Sequence, residues 1–265
     1  MRKCLALLLI AGMGLTLRTA ADVIHVAAAT SLNHVLEEIT AEFEHETQHT
    51  VKLIFSSSGN LARQIIQGAP FEIFMSADET YVSLLQEKQL TEGAGSVYGI
   101  GRLVLFIPEG SAVLPSTDLS SLISSSRAGQ LRRLAMANPE YAPYGLIAKQ
   151  ALQNARVWDT VSSSLVLGKS ASQAAQFCLT GTVDAALLPW SLALVPAVGN
   201  KGHFMLVSET LYSPLKHRMV LIKNAGDAAR KFYEFILSDK AHSIFERYGL
   251  GLSAPGDRPA VLPEG

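Results

Sequence analysis

Apolar positions along this chain fall into short β-rich runs that alternate with helical periodicities. Val23 to Ala28 forms one run, after which Val35, Leu36, Ile39 and Phe43 recur at helical spacing. Val51 to Phe55 and Phe71 to Met75 predict further strands, with helices opening at Leu61–Ile66 and Glu79–Glu87. Tyr98 to Ile107 is long and β-rich, and Pro108-Glu109-Gly110 stops it. The middle repeats the theme, with strands over Leu134–Ala137, Ala185–Leu188 and Met205–Val207 and helices over Gly145–Ala155 and Ser170–Leu179. A strand over His217–Ile222 and helices over Ala225–Leu237 and Asp239–Tyr248, the last capped by Ser238 and closed by Gly249, complete the chain.

This alternation predicts an α/β fold with mostly parallel sheets. The segments Tyr98–Pro108 and Tyr212–Lys223 bracket the central block and read as paired crossovers between two lobes. The first lobe is then discontinuous, 22–102 plus 218–265, and the second runs over 103–217. A single α/β domain remains open from periodicity alone. Two lobes joined by two strands suit a ligand cleft that closes about a hinge.

Four stretches share one grammar, an apolar run followed by small hydroxyl residues or glycine at the start of a helical pattern. They are Ala28-Ala29-Thr30-Ser31-Leu32, Ser56-Ser57-Ser58-Gly59-Asn60-Leu61, Pro139-Glu140-Tyr141-Ala142-Pro143-Tyr144-Gly145 and Gly168-Lys169-Ser170-Ala171-Ser172. A helix N-terminus presents unpaired N–H groups and about half a positive charge, so it attracts anions without a charged side chain. An ordinary N-cap explains Thr30, Ser31 or Ser58 taken singly. Four convergent ends instead make a site for a small oxyanion, with side-chain donors from the first two stretches and backbone N–H groups of Tyr144 and Ala171 from the others.

The composition of these loops sharpens the ligand class. No Asp or Glu lies between Ala27 and Leu36, Phe55 and Ile65, or Leu165 and Gln176, and Glu140 alone falls in the third loop. A donor-only pocket suits a fully deprotonated tetrahedral dianion. Hydrogen phosphate carries a proton that needs an acceptor, and an unmatched buried polar group costs about 1–3 kcal/mol. Sulfate-like anions are therefore expected to bind and phosphate is not.

The first 21 residues read as a secretory signal: Arg2 and Lys3, an apolar core from Cys4 to Leu17, and Thr19-Ala20-Ala21 before Asp22. That core falls short of the ~20 apolar residues that span a bilayer. An exported chain of residues 22–265 follows, without membrane insertion. Cleavage removes three basic residues and no acid, so the formal charge moves from −1 to −4 (19 basic, 23 acidic). A nucleic-acid partner is excluded on that balance. Cys178 is then the sole cysteine, within an apolar helical stretch, and reads as a buried structural thiol.

Several of these segments also resemble a known family. Asp22 to Leu32, Phe55 to Gln64, Ala69 to Asp78, Ala137 to Gly145 and Ile244-Phe245-Glu246-Arg247-Tyr248-Gly249 look like periplasmic molybdate-binding proteins of ABC-type transporters, in family order and spacing. The resemblance implies a two-lobed fold of the type II periplasmic binding class. It also implies no cofactor, no catalysis, a membrane permease as partner and a monomeric receptor for molybdate or tungstate. Thr30, Ser31 and Ser58 would match the family's donors in the first lobe, and Tyr144 and Ala171 the backbone donors of the second. Some members present a tyrosine hydroxyl in the stretch aligned with Leu187-Leu188-Pro189-Trp190-Ser191. Pro189 stands there in this chain, so that hydrogen bond is missing or replaced.

Two other readings meet the sequence. The same fold could hold sulfate or another small oxyanion. An exported zinc hydrolase is the alternative from a different class, because His45-Glu46-Thr47-Gln48-His49 matches the H-E-x-x-H pattern. That chemistry needs both histidines on one continuing helix. Here the helical pattern fades after Phe43 and a strand starts by Val51, so His49 is expected past the helix end. Gly168-Lys169-Ser170 lacks the upstream glycine of a phosphate-binding loop, since Ser163 occupies that position.

Overall fold

The computed structural model describes residues 22–251, so the predicted signal segment lies outside the described residues. Along the chain come β1 (Val23–Ala29), a 3-10 turn (Thr30–Leu32), α1 (Asn33–Thr47), β2 (Thr50–Ser56), α2 (Ser58–Ile66), β3 (Ile73–Ser76), α3 (Thr80–Glu87) and β4 (Thr91–Gly101). Then follow β5 (Leu103–Pro108), α4 (Ser121–Arg127), β6 (Leu134–Ala137), α5 (Pro143–Asn154), α6 (Trp158–Val161), β7 (Leu165–Gly168), α7 (Ala171–Leu179) and β8 (Ala185–Pro189). The last elements are α8 (Trp190–Ala193), α9 (Pro196–Gly199), β9 (Gly202–Leu206), β10 (Leu215–Ile222), α10 (Asp227–Ile236) and α11 (Asp239–Arg247).

The strands form two five-stranded sheets, ordered β2-β1-β3-β10-β4 and β7-β6-β8-β5-β9. In the first, β1 pairs in parallel with β2 and β3, whereas β10 runs antiparallel to β3 and β4. In the second, β6 is parallel to β7 and β8, and β5 is antiparallel to β8 and β9. The two α/β lobes stand as expected, but their sheets are mixed rather than mostly parallel. Parallel neighbours need a crossover of a dozen or more residues. The chain instead passes between the sheets through Arg102 alone and again between β9 and β10, without such a helix, and the strands at those crossings pair antiparallel.

Alternation along the strands explains the layers. Val26 and Ala28 of β1, Ile73 and Met75 of β3 and Met219 of β10 join one core, while Ala27, Phe74 and Val220 face a second under α2 and α3. In β5, Leu105 and Ile107 enter the first core and Val104 and Phe106 a third one beneath α7. Each sheet is thus buried on both faces, which accounts for the near-continuous apolar runs. Cys178 sits in the third core and its burial pushes the thiol up to about 12, as an inert structural cysteine requires.

Helix ends follow local chemistry. Ser170 and Ser238 cap α7 and α11, accepting from Gln173 and Ala241 backbone N–H at 3.3 Å each. α1 stops at Thr47 because Gln48 turns left-handed, at φ 65°. His49 therefore lies off the helix, where its Nδ1 accepts from the Asp22 N–H at 3.3 Å. The two histidines of the zinc-like pattern do not share a helical face. α7, α8 and α9 pack on strands of the second sheet, whereas α4 and α6 pack on each other and α6 on α5; of these five, α7 alone is legible from periodicity.

Candidate functional site

The carboxyl ends of β1, β2, β3, β6 and β7 point into one gap between the two sheets, the place where α/β proteins bind ligands. A small, tightly closed cavity lies there. Four serine and threonine residues line it: Thr30, Ser31, Ser57 and Ser58. The remaining wall is Ala29, Ala77, Ala142 and Ala171 with Pro143 and Tyr144. No Asp, Glu, Lys or Arg is among these residues, so the pocket is formally neutral.

Each sequence-predicted residue reaches this cavity, and the hydroxyls are not spent on capping. Ala29 is the N-cap of the 3-10 turn and Leu32 that of α1, neither with a side-chain cap bond. Ser31 Oγ is buried with no hydrogen-bond partner. Ser58 is fully buried at the first position of α2, and its Oγ accepts from the Ala77 N–H at 3.1 Å. With an acceptor lone pair engaged there, its proton remains available for donation. Thr30 Oγ1 takes a long bond from the Ser172 N–H, 3.4 Å.

The second lobe offers backbone. Pro143 opens α5 without an N–H, so Tyr144 supplies the first amide of that helix, and Ala171 does so for α7 behind its Ser170 cap. Neither amide has an intrahelical acceptor, as in any first turn. Gly145 makes the approach possible. A Cβ there would lie 2.3 Å from the Ala137 carbonyl oxygen at the end of β6. Tyr144's side chain turns away into the core, where burial pushes its phenol above the ordinary range and its hydroxyl has no partner. It stacks edge-on against His217 of β10, ring centroids 5.7 Å apart.

The lobes are closed on each other. Gly59 N–H donates to Tyr141 O at 3.0 Å, Ser172 Oγ to Thr30 O at 3.1 Å and Ser191 Oγ to Ser31 O at 2.8 Å. Pro189 ends β8 buried, and it does not line the cavity. Ser57, Pro143, Ala29, Ala77 and Ala142 also line the cavity, and the sequence assigns none of them a ligand role. Ser57 lay within a flagged serine run, whereas Ala77 and Ala142 carry no chemistry that a sequence could mark. Asp78 follows Ala77 directly, but its carboxylate accepts from Ser76 Oγ at 3.0 Å and the Tyr81 N–H at 3.4 Å. Its burial outweighs those bonds and raises its pKa.

Comparison with known proteins agrees with this architecture. Residues 24–251 match the family model of bacterial extracellular solute-binding proteins. The molybdate-binding protein ModA of Rhodobacter capsulatus is 35% identical over 241 residues, covering 89% of this chain and 91% of that protein. Its namesake in Azotobacter vinelandii is 32% identical over 232 residues, 86% of this chain and 90% of that protein. The solved periplasmic molybdate-binding protein of Azotobacter vinelandii superposes with a TM-score of 0.80 at 26% identity, covering 87% of this chain and all of that one. With two closed lobes, a neutral donor cavity and these relatives along nearly its whole described length, the chain belongs to the bacterial extracellular solute-binding proteins, in the ModA family, and is a binding protein rather than an enzyme.

Proposed function

We propose that this protein captures molybdate, and tungstate with it, in the interlobe cavity and hands it to the membrane permease of an ABC transporter. The ion is held by the hydroxyls of Thr30, Ser31 and Ser58 and by the backbone N–H groups of Tyr144 and Ala171. The observation that carries this reading is the cavity's lining, hydroxyls and first-turn amides with no charged side chain. The named ligand of the curated relatives supports molybdate in particular. The two sheets support a lobe division near 22–102 plus 218–265 against 103–217, with β10 entering the first sheet slightly earlier, at Leu215. Export to the periplasm, cleavage near Ala21 and a monomeric state complete the proposal.

Magnitudes are compatible. Five to seven hydrogen bonds to a charged group give roughly 8–20 kcal/mol gross at ~1.5–3 kcal/mol each. Association costs on the order of 4–15 kcal/mol, so micromolar to nanomolar affinity is within reach. Isothermal titration with molybdate, tungstate, sulfate and phosphate tests the reading. Saturable 1:1 binding of the first two is expected, with a raised melting temperature. An unmoved melting temperature at millimolar molybdate would end it.

A further inference from the structure

Ser57 occupies the N-cap of α2 with extended backbone, φ −68° and ψ 148°, the position where a serine hydroxyl ordinarily accepts from the helix's own second or third amide. It makes no such bond. Its side chain is 3% exposed, lines the interlobe cavity, and its Oγ has no hydrogen-bond partner. A buried hydroxyl left unmatched is costly, and a cap bond within reach would relieve it. Forgoing the cap leaves an unpaired hydroxyl on a residue that lines the cavity.

No residue of the stretch 187–191 lines the cavity. Pro189 has no donor at all, and Ser191 Oγ is committed to Ser31 O at 2.8 Å. Among the described lining residues, Ser31, Ser57 and Tyr144 have buried, unpartnered hydroxyls, and that of Tyr144 lies in the core against His217, which leaves the two serines at the cavity.

We propose that the Ser57 hydroxyl donates directly to the bound oxyanion, beside those of Thr30, Ser31 and Ser58, an inference that rests on the oxyanion reading of the cavity. Two successive serines then serve different ends of one loop. Ser58 ties α2 to the end of β3 through the Ala77 amide while donating its proton, and the Ser57 hydroxyl has no hydrogen bond within the protein to give up. The first lobe thereby supplies the hydrogen bond that no side chain supplies at position 189.

The test is titration of sodium molybdate into the full exported chain and its Ser57→Ala variant, with thermal unfolding of both in the absence of ligand. The expected result is a dissociation constant raised roughly 10- to 150-fold, the span of a hydrogen bond to a charged group, with the ligand-free melting temperature not lowered. If the parent chain binds molybdate and the variant binds within threefold of it, Ser57 is not a donor, although the cavity assignment survives. If the parent chain does not bind molybdate, both fall. A ligand-free melting temperature lowered by several degrees would make the hydroxyl structural and overturn the proposal. Should the alanine variant fail to fold, Ser57→Cys keeps the volume with a weak donor and is read in the same way.

Discussion

Ser172 and Thr30 face each other across the cleft and bond twice: the Ser172 hydroxyl donates to the Thr30 carbonyl at 3.1 Å, and the Ser172 amide to Thr30 Oγ1 at 3.4 Å. Ser172 stands at the second position of α7, directly after Ala171. The same short turn that presents an amide to the cavity therefore also locks the lobes. If the Ala171 amide holds the anion as proposed, binding and closure are coupled at this point.

Ser172→Ala removes the hydroxyl arm of that clamp and leaves the Ala171 amide in place. A net hydrogen bond of about 0.5–1.5 kcal/mol predicts roughly 2- to 10-fold weaker molybdate binding. The loss should fall on the dissociation rate, because interface changes of this kind act mainly there. Stopped-flow release of molybdate into excess chelating competitor would measure it.

Gly59 gives a sharper lever on closure. A Cβ at this position would lie 2.8 Å from Tyr141 O in the opposite lobe and 2.7 Å from the Tyr81 hydroxyl. The tyrosine can swing aside, but the carbonyl belongs to the loop before α5 that also receives the Gly59 N–H. Gly59→Ala is expected to hold the lobes apart, weakening binding by more than tenfold while the ligand-free fold is retained. Small-angle scattering should then show no contraction on adding molybdate, whereas the parent chain contracts from any open form.

The sites of these contacts were partly legible beforehand, and the limits are instructive. Strand ends followed by hydroxyls and helical spacing located all four loops, because a switch from period 2 to period 3.6 is written in the residues themselves. Which serine of Ser56-Ser57-Ser58 enters the cavity depends on where α2 begins, and one residue of register turns a helical side chain by about 100°. Ala77 and Ala142 reach the wall through tertiary placement alone. Sheet order was equally hidden, since β5 and β10 show the same apolar alternation whether their neighbours run parallel or antiparallel. The departure at Pro189 was visible, but the unsatisfied Ser57 hydroxyl needed coordinates.

His217 predicts a pH signature of stability. It is fully buried on β10 between the rings of Tyr98 and Tyr144, with no partner for either ring nitrogen, and burial holds its pKa down to about 3. The unfolded chain takes up this proton near pH 6.5 while the folded chain refuses it. Stability is thus whole above pH 6.5 and falls as pH drops towards 3, by up to about 1.4 kcal/mol per pH unit. His217→Phe should flatten the difference in melting temperature between pH 7 and pH 5. An unchanged slope in that variant would place the dependence on other groups.

Selectivity against phosphate follows from the same neutral lining. A tetrahedral dianion without a proton can accept from every donor in the cavity, whereas hydrogen phosphate must point its O–H at something that accepts. Asp78 is the carboxylate beside the wall, and Ser76 and Tyr81 already hold it. Turning it inward would break those bonds and would bring a negative charge against the ligand. Phosphate at pH 7.5 is therefore expected to bind more than about tenfold more weakly than molybdate in calorimetry, and Ser58→Asp is expected to weaken molybdate through like charge. Phosphate affinity within tenfold of molybdate would mean that a lining acceptor exists, and Asp78→Ala would then identify it by abolishing phosphate binding while sparing molybdate.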